Sequence, residues 1–600
     1  MRGLYGAGIL LLVFVTNSFA RGRTPGASSF SPSKDSLASY LHSPAMGPED
    51  RYVLDGVQEK AICRGCEIIA TSIKVELALG QTYEQMIKEA LFVCMEVIKL
   101  SELSCRGYVQ LFTPIIYHIF TNDTVIPSDL CGMFLSGYGC NTTQPGRDWS
   151  VQIHGEKPPV VPIVLPDPSQ PTLKVLHISD MHLDPLYVPG SNADCAEDLC
   201  CREESGTPAT PDAEAWFWGD YRDCDSPPWM IEDMLSHIRT EHTDISYVMW
   251  TGDVVPHNMW ATTRDWNTRL IKDTNEIIQS YFPDIPVFPV IGNHEMDPIN
   301  MFPDPDNAPE EFSADWLYGA LANQWEKVIP GLDVSTVLYG GFYSVPVKPG
   351  FRIISVNSMF GYTINLWLYE NSNDVAHELK WLEAELWKAE QEGELVHLIG
   401  HIPPGLLYNE RSWSREYTRI INRYENIVRG QFFGHTHNDE FEVFHDGERP
   451  FGVAYVAPSQ TPWTGLNPSY RIYTVDGERP DTTRMVLDHD TYIMNLTEAH
   501  ETNATRWHKL YSAKEAYGMP SLTPQDWYQL GHRMAEDRSL FDLYFKHFVS
   551  AGDPLLQEGC DDICYVQRVC DVMTSDRNDL DACYGAIRRM KGVSGLQSFA

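Results

Sequence analysis

Apolar runs that stop abruptly at polar residues recur through the middle of this 600-residue chain. Five of them end at a side chain that can bind a metal. Each predicts a buried strand that delivers this side chain to the C-terminal edge of a sheet, where α/β folds place their ligands. Three more runs have strand character, and helical stretches alternate with the strands, so the pattern predicts an α/β fold with a substantial sheet. The strand runs are residues 173–179, 246–251, 286–291, 352–357, 395–399, 431–433, 452–456 and 470–475, and the helical stretches include residues 228–241, 265–281 and 376–390.

The same pattern divides the chain into six segments. Residues 1–20 carry a short apolar run typical of a secretory signal peptide; an uncleaved anchor is the alternative, although the run is short for a membrane span. Low periodicity and many Ser, Pro and Gly residues predict a flexible leader or propeptide. Helical periodicity follows, with a capping box at Thr82 and Gln85. The later segments are the leader at residues 21–57, a small helical domain at 58–144, a proline-rich linker at 145–171, a catalytic domain at 172–475 and a helical, disulfide-bonded domain at 476–600.

The composition is that of a globular protein, with 43% hydrophobic and 12% aromatic residues. A formal net charge of −37 makes nucleic-acid binding through phosphates unfavourable. Fourteen cysteines, an even number, behind a secretory signal predict disulfides and a secreted or lysosomal protein. Sequons for N-glycosylation lie at Asn122, Asn141, Asn495 and Asn503.

The helical segment at residues 58–144 holds six cysteines: Cys63, Cys66, Cys94, Cys105, Cys131 and Cys140. Their number alone allows fifteen connectivities. The segment resembles a saposin domain, and the resemblance implies the nested bridges Cys63–Cys140, Cys66–Cys131 and Cys94–Cys105. Zinc binding or redox chemistry at Cys63 and Cys66 is the alternative, which the secreted context disfavours.

Closeness along the chain predicts the remaining disulfides. They are Cys195–Cys200, Cys201–Cys224, Cys560–Cys564 and Cys570–Cys583. The saposin resemblance further implies contact with a membrane lipid surface through an apolar face. Candidates for that face, or alternatively for the core of the small domain, are Val109, Leu111, Phe112, Ile115, Ile116 and Ile119.

The polar residues at the strand ends form five motifs: Asp180-x-His182, Gly252-Asp253, Gly292-Asn293-His294-Glu295, His401 and Gly434-His435-x-His437. In order and in strand context they resemble the calcineurin-like metallophosphoesterases, which implies a β-sandwich flanked by helices and a site for two metal ions. A bridging carboxylate offsets the repulsion between two divalent cations, a role that suits Asp253. The resemblance implies Asp180, His182 and His437 on one metal, Asn293, His401 and His435 on the other, and Asp253 shared.

Imidazole and carboxylate ligands together suit zinc, with manganese or iron as the alternatives. The purple acid phosphatases of the same superfamily carry a metal-binding tyrosine three residues after the bridging aspartate, and here this position is Pro256, which favours zinc in both sites. The leaving alkoxide needs a proton, and His294 is the candidate general acid, with His257 as the second candidate. An imidazole with an ordinary pKa is mostly protonated near about pH 5, which suits an acidic compartment. Packing beneath the site is the alternative role for His294.

From about residue 58 to the C-terminus, the order of saposin-like segment, linker, phosphoesterase motifs and cysteine-bearing tail resembles the acid sphingomyelinase family. Local stretches agree, among them residues 180–187, 400–405, 431–437 and 465–470. The resemblance implies hydrolysis of sphingomyelin to ceramide and phosphocholine at acid pH, and we expect the protein to be a monomer. Aromatic faces attract a quaternary ammonium group, and Trp463, Tyr362 and Tyr187 lie in loops that could reach the choline head group.

Two departures indicate a divergent, invertebrate relative. The catalytic segment lacks the additional disulfide of the vertebrate enzymes, and the tail lacks their final free cysteine. The other functions to weigh are a soluble phosphodiesterase acting on nucleotides or phosphocholine compounds, a phosphomonoesterase, and a non-catalytic lipid-binding protein. The complete set of metal ligands disfavours the last of these.

Overall fold

The computed structural model describes residues 56–98, 100–122, 125–135, 140, 147–195, 197–447, 449–580 and 583. The predicted signal peptide, all but the last two residues of the predicted leader, and the sequon at Asn141 lie outside the described residues.

Four α-helices form the region that the sequence predicts to be saposin-like. They are α1 (Gly56–Ala78), α2 (Tyr83–Val93), α3 (Glu102–Asn122) and α4 (Pro127–Phe134). The predicted capping box is confirmed, because the Thr82 side chain accepts a hydrogen bond from the backbone of Gln85 and the Gln85 side chain accepts one from the backbone of Thr82. Three disulfides join the helices in the nested order that the resemblance implies: Cys63–Cys140, Cys66–Cys131 and Cys94–Cys105.

Helix α3 packs on two sides. One side packs within the helical region, and the other meets loops of the catalytic domain, where the Tyr108 ring lies 6.5 Å from Trp260 and the His118 ring 5.6 Å from Trp367. Most apolar residues of α3 are therefore core residues rather than an exposed lipid face. Val109, Phe112, Ile115, Ile116 and Ile119 are buried, and Leu111 is partly buried. Among the described residues of this region, the large apolar side chains that are at least half exposed are Ile68, Val75, Leu79, Phe92 and Leu103.

The catalytic domain is a sandwich of two six-stranded mixed sheets. The strands are β1 (Thr172–Ile178), β2 (Ile245–Trp250), β3 (Val287–Pro289), β4 (Tyr343–Lys348), β5 (Phe351–Ser355), β6 (Leu395–Ile399), β7 (Val428–Phe433), β8 (Glu440–Asp446), β9 (Arg449–Val456), β10 (Ser469–Asp476), β11 (Val486–Met494) and β12 (Trp507–Ser512). The first sheet has the order β12-β11-β10-β1-β2-β3, with β1, β2 and β3 parallel. The second has the order β4-β5-β6-β7-β9-β8, with β5, β6, β7 and β9 parallel.

Aromatic side chains fill the space between the sheets. Phe432 of β7 lies 5.0 Å from Tyr473 of β10 and 6.1 Å from His177 of β1, measured between ring centroids. Such side chains bury a large apolar area, which binds the two sheets together. The remaining helices are α5 (Pro228–Glu241), α6 (Arg264–Tyr281), α7 (Asp315–Trp325), α8 (Ser335–Gly340), α9 (Glu378–Glu392), α10 (Arg411–Arg423), α11 (Leu496–Thr502), α12 (Ala513–Tyr517), α13 (Pro524–Glu536), α14 (Arg538–Phe548), α15 (Asp553–Glu558) and α16 (Asp562–Met573).

The segment after Asp476 is not helical throughout, which differs from the sequence prediction. Strands β11 and β12 extend the first sheet by antiparallel pairing with β10, and helices dominate only from Ala513 onward. The polar residues of β11 conceal its strand character because several of them lie on a face that is only partly buried. In this segment the predicted neighbours Cys560–Cys564 and Cys570–Cys583 are bonded.

The described sequons differ in exposure. Asn122 and Asn503 are exposed, whereas Asn495 is partly buried and caps the N-terminus of α11. Glycosylation at these sites stays a prediction. No helix in the described part of the chain has both the length and the apolar character needed to cross a membrane.

Candidate metal centre

The seven predicted ligands follow the C-terminal ends of five parallel strands. Asp180 and His182 follow β1, Asp253 follows β2, Asn293 follows β3, His401 follows β6, and His435 and His437 follow β7. The first three strands belong to one sheet and the last two to the other, so the ligands meet at one edge of the sandwich. His435 is partly buried, and the other six side chains are buried.

Five of these residues have left-handed backbone conformations. The φ angles are 52° at Asp180, 39° at His182, 56° at Asp253, 72° at His435 and 64° at His437. Such angles cost a non-glycine residue of the order of 1 kcal/mol or more and concentrate at functional sites. The surrounding sheets must therefore hold the loops in place.

Glycine is required where these loops approach each other. A Cβ atom at Gly292 would lie 2.0 Å from Oδ1 of Asp253, and one at Gly434 would lie 1.9 Å from Oγ of Ser179. Gly252 has a φ of 91° and faces the backbone of Gly292. The glycines of the Gly-Asp, Gly-Asn-His-Glu and Gly-His-x-His motifs thus let the ligands come together.

The first group of ligands surrounds Nε2 of His182. This atom lies 3.2 Å from Nε2 of His437 and 3.6 Å from Oδ2 of Asp253, and Nε2 of His437 lies 3.6 Å from Oδ1 of Asp180. Nδ1 of His182 donates to the carbonyl of Val255 at 2.8 Å, so in the neutral ring Nε2 carries a lone pair.

The second group surrounds Nε2 of His401. It lies 2.9 Å from Oδ1 of Asn293 and 3.2 Å from Oδ2 of Asp253, and Nδ1 of His435 lies 2.9 Å from the same oxygen of Asn293. The amide nitrogen of Asn293 donates to Asn300, which turns its oxygen toward the histidines. Nδ1 of His401 donates to the carbonyl of Thr251 at 2.6 Å.

Lone pairs therefore converge from both groups on Oδ2 of Asp253. Oδ1 of Asp253 accepts a hydrogen bond from the backbone N–H of His294 at 3.0 Å, which leaves Oδ2 facing both groups. Acceptor atoms facing one another at such distances repel unless a proton or a cation lies between them. Imidazole nitrogens with carboxylate and amide oxygens are ligands for divalent metal ions, and the residues fit a metal centre with Asp253 in the shared position.

The electrostatics of the site support this fit. Burial alone would raise the pKa of Asp253, but His401 and His294 hold it well below its usual range. Burial disfavours the cation of His401, yet Asp253 raises its pKa to about 9. Burial also raises the pKa of Asp180 to about 7 and lowers that of His435 to about 3. The centre thus holds an anionic Asp253 that favours the protonated ring of His401, the position a cation would take, while burial keeps His435 in its neutral, metal-binding form.

His294, the candidate general acid, lies beside His182 of the first group, with its Nε2 4.0 Å from Oδ2 of Asp253. Burial lowers its pKa to about 4. His294 is therefore not the ordinary imidazole that the sequence predicts, and only roughly one tenth of it would be protonated near about pH 5 before a substrate binds. An anionic phosphodiester beside the ring would raise this pKa.

His257 is held by partners that sequence reasoning did not predict. Its Nδ1 lies 2.8 Å from Oδ1 of Asp225, and its backbone N–H donates to Oδ2 at 2.7 Å. Thr461 donates to the same carboxylate, and the Trp463 ring stacks on His257 at 3.9 Å. The other ring nitrogen of His257 comes within 4.8 Å of ligand atoms of His182 and His437. No apolar run precedes Asp225, so the pattern carries no signal for it.

Glu295 is a second residue whose role emerges only in the structure. Its buried carboxyl group accepts hydrogen bonds from the backbone of Gly292, Asp253 and Val254, which ties the loop after β3 to the loop after β2. Burial raises its pKa to about 7. Its place in the Gly-Asn-His-Glu motif was the available signal.

The aromatic candidates for the choline group lie in different places. Trp463 contacts His257, and Tyr362 lies 5.2 Å from His435 between ring centroids. Tyr187 is buried in a separate cluster with the bonded pairs Cys195–Cys200 and Cys201–Cys224. Of the three, Trp463 and Tyr362 are the ones that border the metal centre.

Comparison with known proteins yields two family matches and several full-length relatives. Residues 173–439 match the calcineurin-like phosphoesterases, and residues 449–590 match the acid sphingomyelin phosphodiesterase C-terminal region. The sphingomyelin phosphodiesterase of Bos taurus is 39% identical over 87% of this chain and 83% of its own length, and that of Homo sapiens is 37% identical over 87% and 82%. The human cyclic GMP-AMP phosphodiesterase is 30% identical over 71% of this chain and 93% of its own length.

Proposed function

The chain belongs to the sphingomyelin phosphodiesterase family, and from this premise we propose that it hydrolyses sphingomyelin to ceramide and phosphocholine. The observation that carries the proposal is the convergence of imidazole nitrogens and Asn293 on Oδ2 of Asp253. This arrangement suits a phosphoric diester hydrolase that depends on divalent metal ions.

We further propose zinc, two ions per chain, as the metal. Asp180, His182 and His437 would hold one ion and Asn293, His401 and His435 the other, with Asp253 between them. When bound, two such ions activate water as the nucleophile and neutralise charge on the phosphate oxygens. The ligand side chains contribute fixed geometry, since most are buried and several are oriented by backbone carbonyls.

His294 would give a proton to the ceramide oxygen as it leaves. The ring lies beside Asp253, and its backbone N–H is anchored on the same carboxylate, so its position relative to the metal centre is fixed. Since burial lowers its pKa to about 4, acid conditions increase the protonated fraction. This supports activity at acid pH. His257, fixed by Asp225, would assist as a second donor beside His294, since the two ring centroids lie 4.6 Å apart.

The helical N-terminal region lies next to the active site, which supports a role in presenting lipid. A Cβ atom at Gly107 of α3 would lie 1.9 Å from the carbonyl oxygen of Trp260, only three residues after His257. Tyr108 donates to the carboxylate of Asp198, and the backbone carbonyl of Asp198 accepts from the indole of Trp463 at 3.3 Å. We propose that the exposed apolar side chains of this region contact the membrane surface.

The proposed setting is that of a secreted or lysosomal protein acting as a monomer. Seven disulfides support an oxidising compartment.

The test is release of phosphocholine from sphingomyelin vesicles at acid pH. We expect release by the native protein, loss after chelation, and a large decrease in His294→Ala. His377→Ala is the matched control, because His377 is exposed and outside the metal centre. A protein that retains its metal ions and cleaves a soluble aryl phosphodiester but not sphingomyelin would instead be a soluble phosphodiesterase. Cleavage of monoesters alone would indicate a phosphomonoesterase.

A further inference from the structure

A cleft of about 390 Å³ lies at the end of the second sheet that is opposite to the metal centre. It is lined by the beginning of β7, including Val428 and Arg429, whereas His435 follows the other end of the same strand. A strand rises about 3.3 Å per residue, so Arg429 lies roughly 20 Å from His435 along the chain. The cleft is therefore separate from the catalytic site, and its volume falls within the usual range of ligand pockets, about 300–1,000 Å³.

Arg429 is a partly buried cation without a partner. Its Nε atom is buried and makes no hydrogen bond, and within the described part of the chain its side chain forms no ion pair or cation–π contact. Burial lowers its pKa, because nothing nearby offsets the cost of removing the charge from water. Glu425 is the carboxylate that lines the cleft, and it is already paired with Lys157 at 3.1 Å and Arg449 at 2.8 Å.

Five other buried arginines of this protein are neutralised, in contrast to Arg429. Their side chains are at most 6% exposed, and each pairs with a carboxylate. The pairs are Arg202–Asp184, Arg352–Glu394, Arg423–Glu390, Arg471–Asp439 and Arg484–Glu478. In a chain with a net charge of −37, acidic partners are abundant. An arginine that lines a cleft and has no such partner is suited to an anion from outside the chain.

The rest of the cleft is mainly apolar. Pro162, Ile163, Phe451, Met485 and Leu522 line it. The proline-rich linker forms one of its walls and is fixed there by Asn426, which accepts from the backbone of Val161 at 2.9 Å and donates to the carbonyl of Pro159 at 3.0 Å. Beside the cleft the linker exposes further aliphatic side chains, Val164 at 73% and Leu165 at 47%.

From one unpaired guanidinium group beside an apolar wall, we propose that this cleft is a second ligand site that binds an aliphatic carboxylate, a molecule of the fatty-acid type; Arg449, the other arginine of the lining, is already paired with Glu425 and Asp446. The carboxylate pairs with Arg429, whose planar guanidinium offers two parallel N–H groups to its two oxygens. The hydrocarbon chain lies against the apolar lining and the linker. A single cation selects a head group with one negative charge.

Calorimetric titration of the full-length protein with sodium decanoate, below its micelle concentration, tests this assignment. Decyltrimethylammonium has the same tail and the opposite charge, and acetate has the charge without the tail. The variants are Arg429→Gln and, as a matched control, Arg506→Gln, which changes an arginine that is 71% exposed and outside the cleft. Hydrolysis of a soluble phosphodiester by each variant verifies that the catalytic domain is intact.

We expect decanoate to bind and both comparison ligands to bind much more weakly. Arg429→Gln should weaken decanoate binding on the order of tenfold or more while Arg506→Gln leaves it unchanged. Without ligand, Arg429→Gln should unfold at the same temperature as the native protein or a higher one, since it removes an uncompensated charge. Absence of decanoate binding, equal binding by Arg429→Gln, or equal binding of the cationic amphiphile would each overturn the proposal.

Discussion

Substitution of Gly434 by alanine should separate metal binding from folding. The added Cβ would lie 1.9 Å from Oγ of Ser179 and 2.7 Å from Oδ2 of Asp180, whereas ordinary contacts begin at 3.4 Å. Ser179 would have to move by about 1.5 Å, the difference between 3.4 Å and 1.9 Å. Its hydroxyl donates to Asp180 at 2.5 Å and accepts from Thr251 at 2.6 Å, so the shift would disturb a predicted ligand directly.

Two effects set the losses of stability and of activity that we expect in Gly434→Ala. Overpacking of this kind costs about 1–3 kcal/mol of stability. Misplacement of a catalytic group by about 1 Å can lower activity on the order of 100-fold. In Gly434→Ala we therefore expect kcat/KM toward a soluble phosphodiester to fall about 100-fold or more. The amount of bound metal, measured by mass spectrometry, should fall as well, while thermal unfolding stays cooperative.

Gly319→Ala provides the matched control. Gly319 lies within α7, and a Cβ atom there would have no neighbour within 4 Å. Alanine in a helix is more favourable than glycine by about 0.5–1 kcal/mol, so this variant should be slightly more stable and fully active. If Gly434→Ala instead kept its metal and a kcat/KM within about twofold of the native value, the close approach at Gly434 would not be what positions Asp180.

Four further predictions concern other parts of the molecule. Removal of metal by a chelator should abolish activity and lower the unfolding temperature, and zinc should restore both; an unchanged unfolding temperature would contradict a metal held by this fold. Asp225→Asn should lower kcat more than it raises KM because His257 loses the carboxylate that orients it, and an unaltered pH–rate profile would argue against that role. Replacing both Leu79 and Phe92, which are 82% and 50% exposed, by serine should reduce hydrolysis of sphingomyelin vesicles but not of soluble diesters; equal losses on both substrates would refute membrane contact through these residues. Burial raises the pKa of Glu440 from 4.5 to about 7, so the folded state favours the neutral carboxyl group and becomes less stable as the pH rises through this range. In chemical unfolding, Glu440→Gln should be more stable than the native protein by up to about 3 kcal/mol at about pH 8 and should differ little from it at about pH 5.

The meeting of the seven predicted ligands at one edge could be predicted from the sequence because each of them closely follows an apolar run. Parallel strands bring their C-terminal ends to one edge of a sheet. Residues that are far apart in the sequence, such as Asp180 and His437, therefore meet at that edge. The partners of these residues could not be predicted in the same way. Asp225 lies in a loop with no periodic pattern, and its hydrogen bonds to His257 depend on the folding of that loop around two disulfides.

The polar strands and the unpaired arginine show a second limit. Strand β11 contains Asp488, His489 and Asp490, residues that disfavour strands in isolation, and it forms because β10 already offers an edge to pair with. Arg429 looks like any surface arginine of a soluble protein. Its lack of a partner depends on which side chains the fold places around it, and the sequence does not contain that information.

The backbone strain at the ligands links the metal centre to the stability of the whole sandwich. Asp180, His182, Asp253, His435 and His437 all have positive φ angles, each at a cost of the order of 1 kcal/mol or more. Since these residues follow strands of both sheets, the packing between the sheets must balance that cost. A bound cation stabilises the same conformations, because it replaces repulsion between facing lone pairs with attraction. Metal affinity and resistance to unfolding should therefore change together in variants of the sheet interior, even in those that do not touch a ligand.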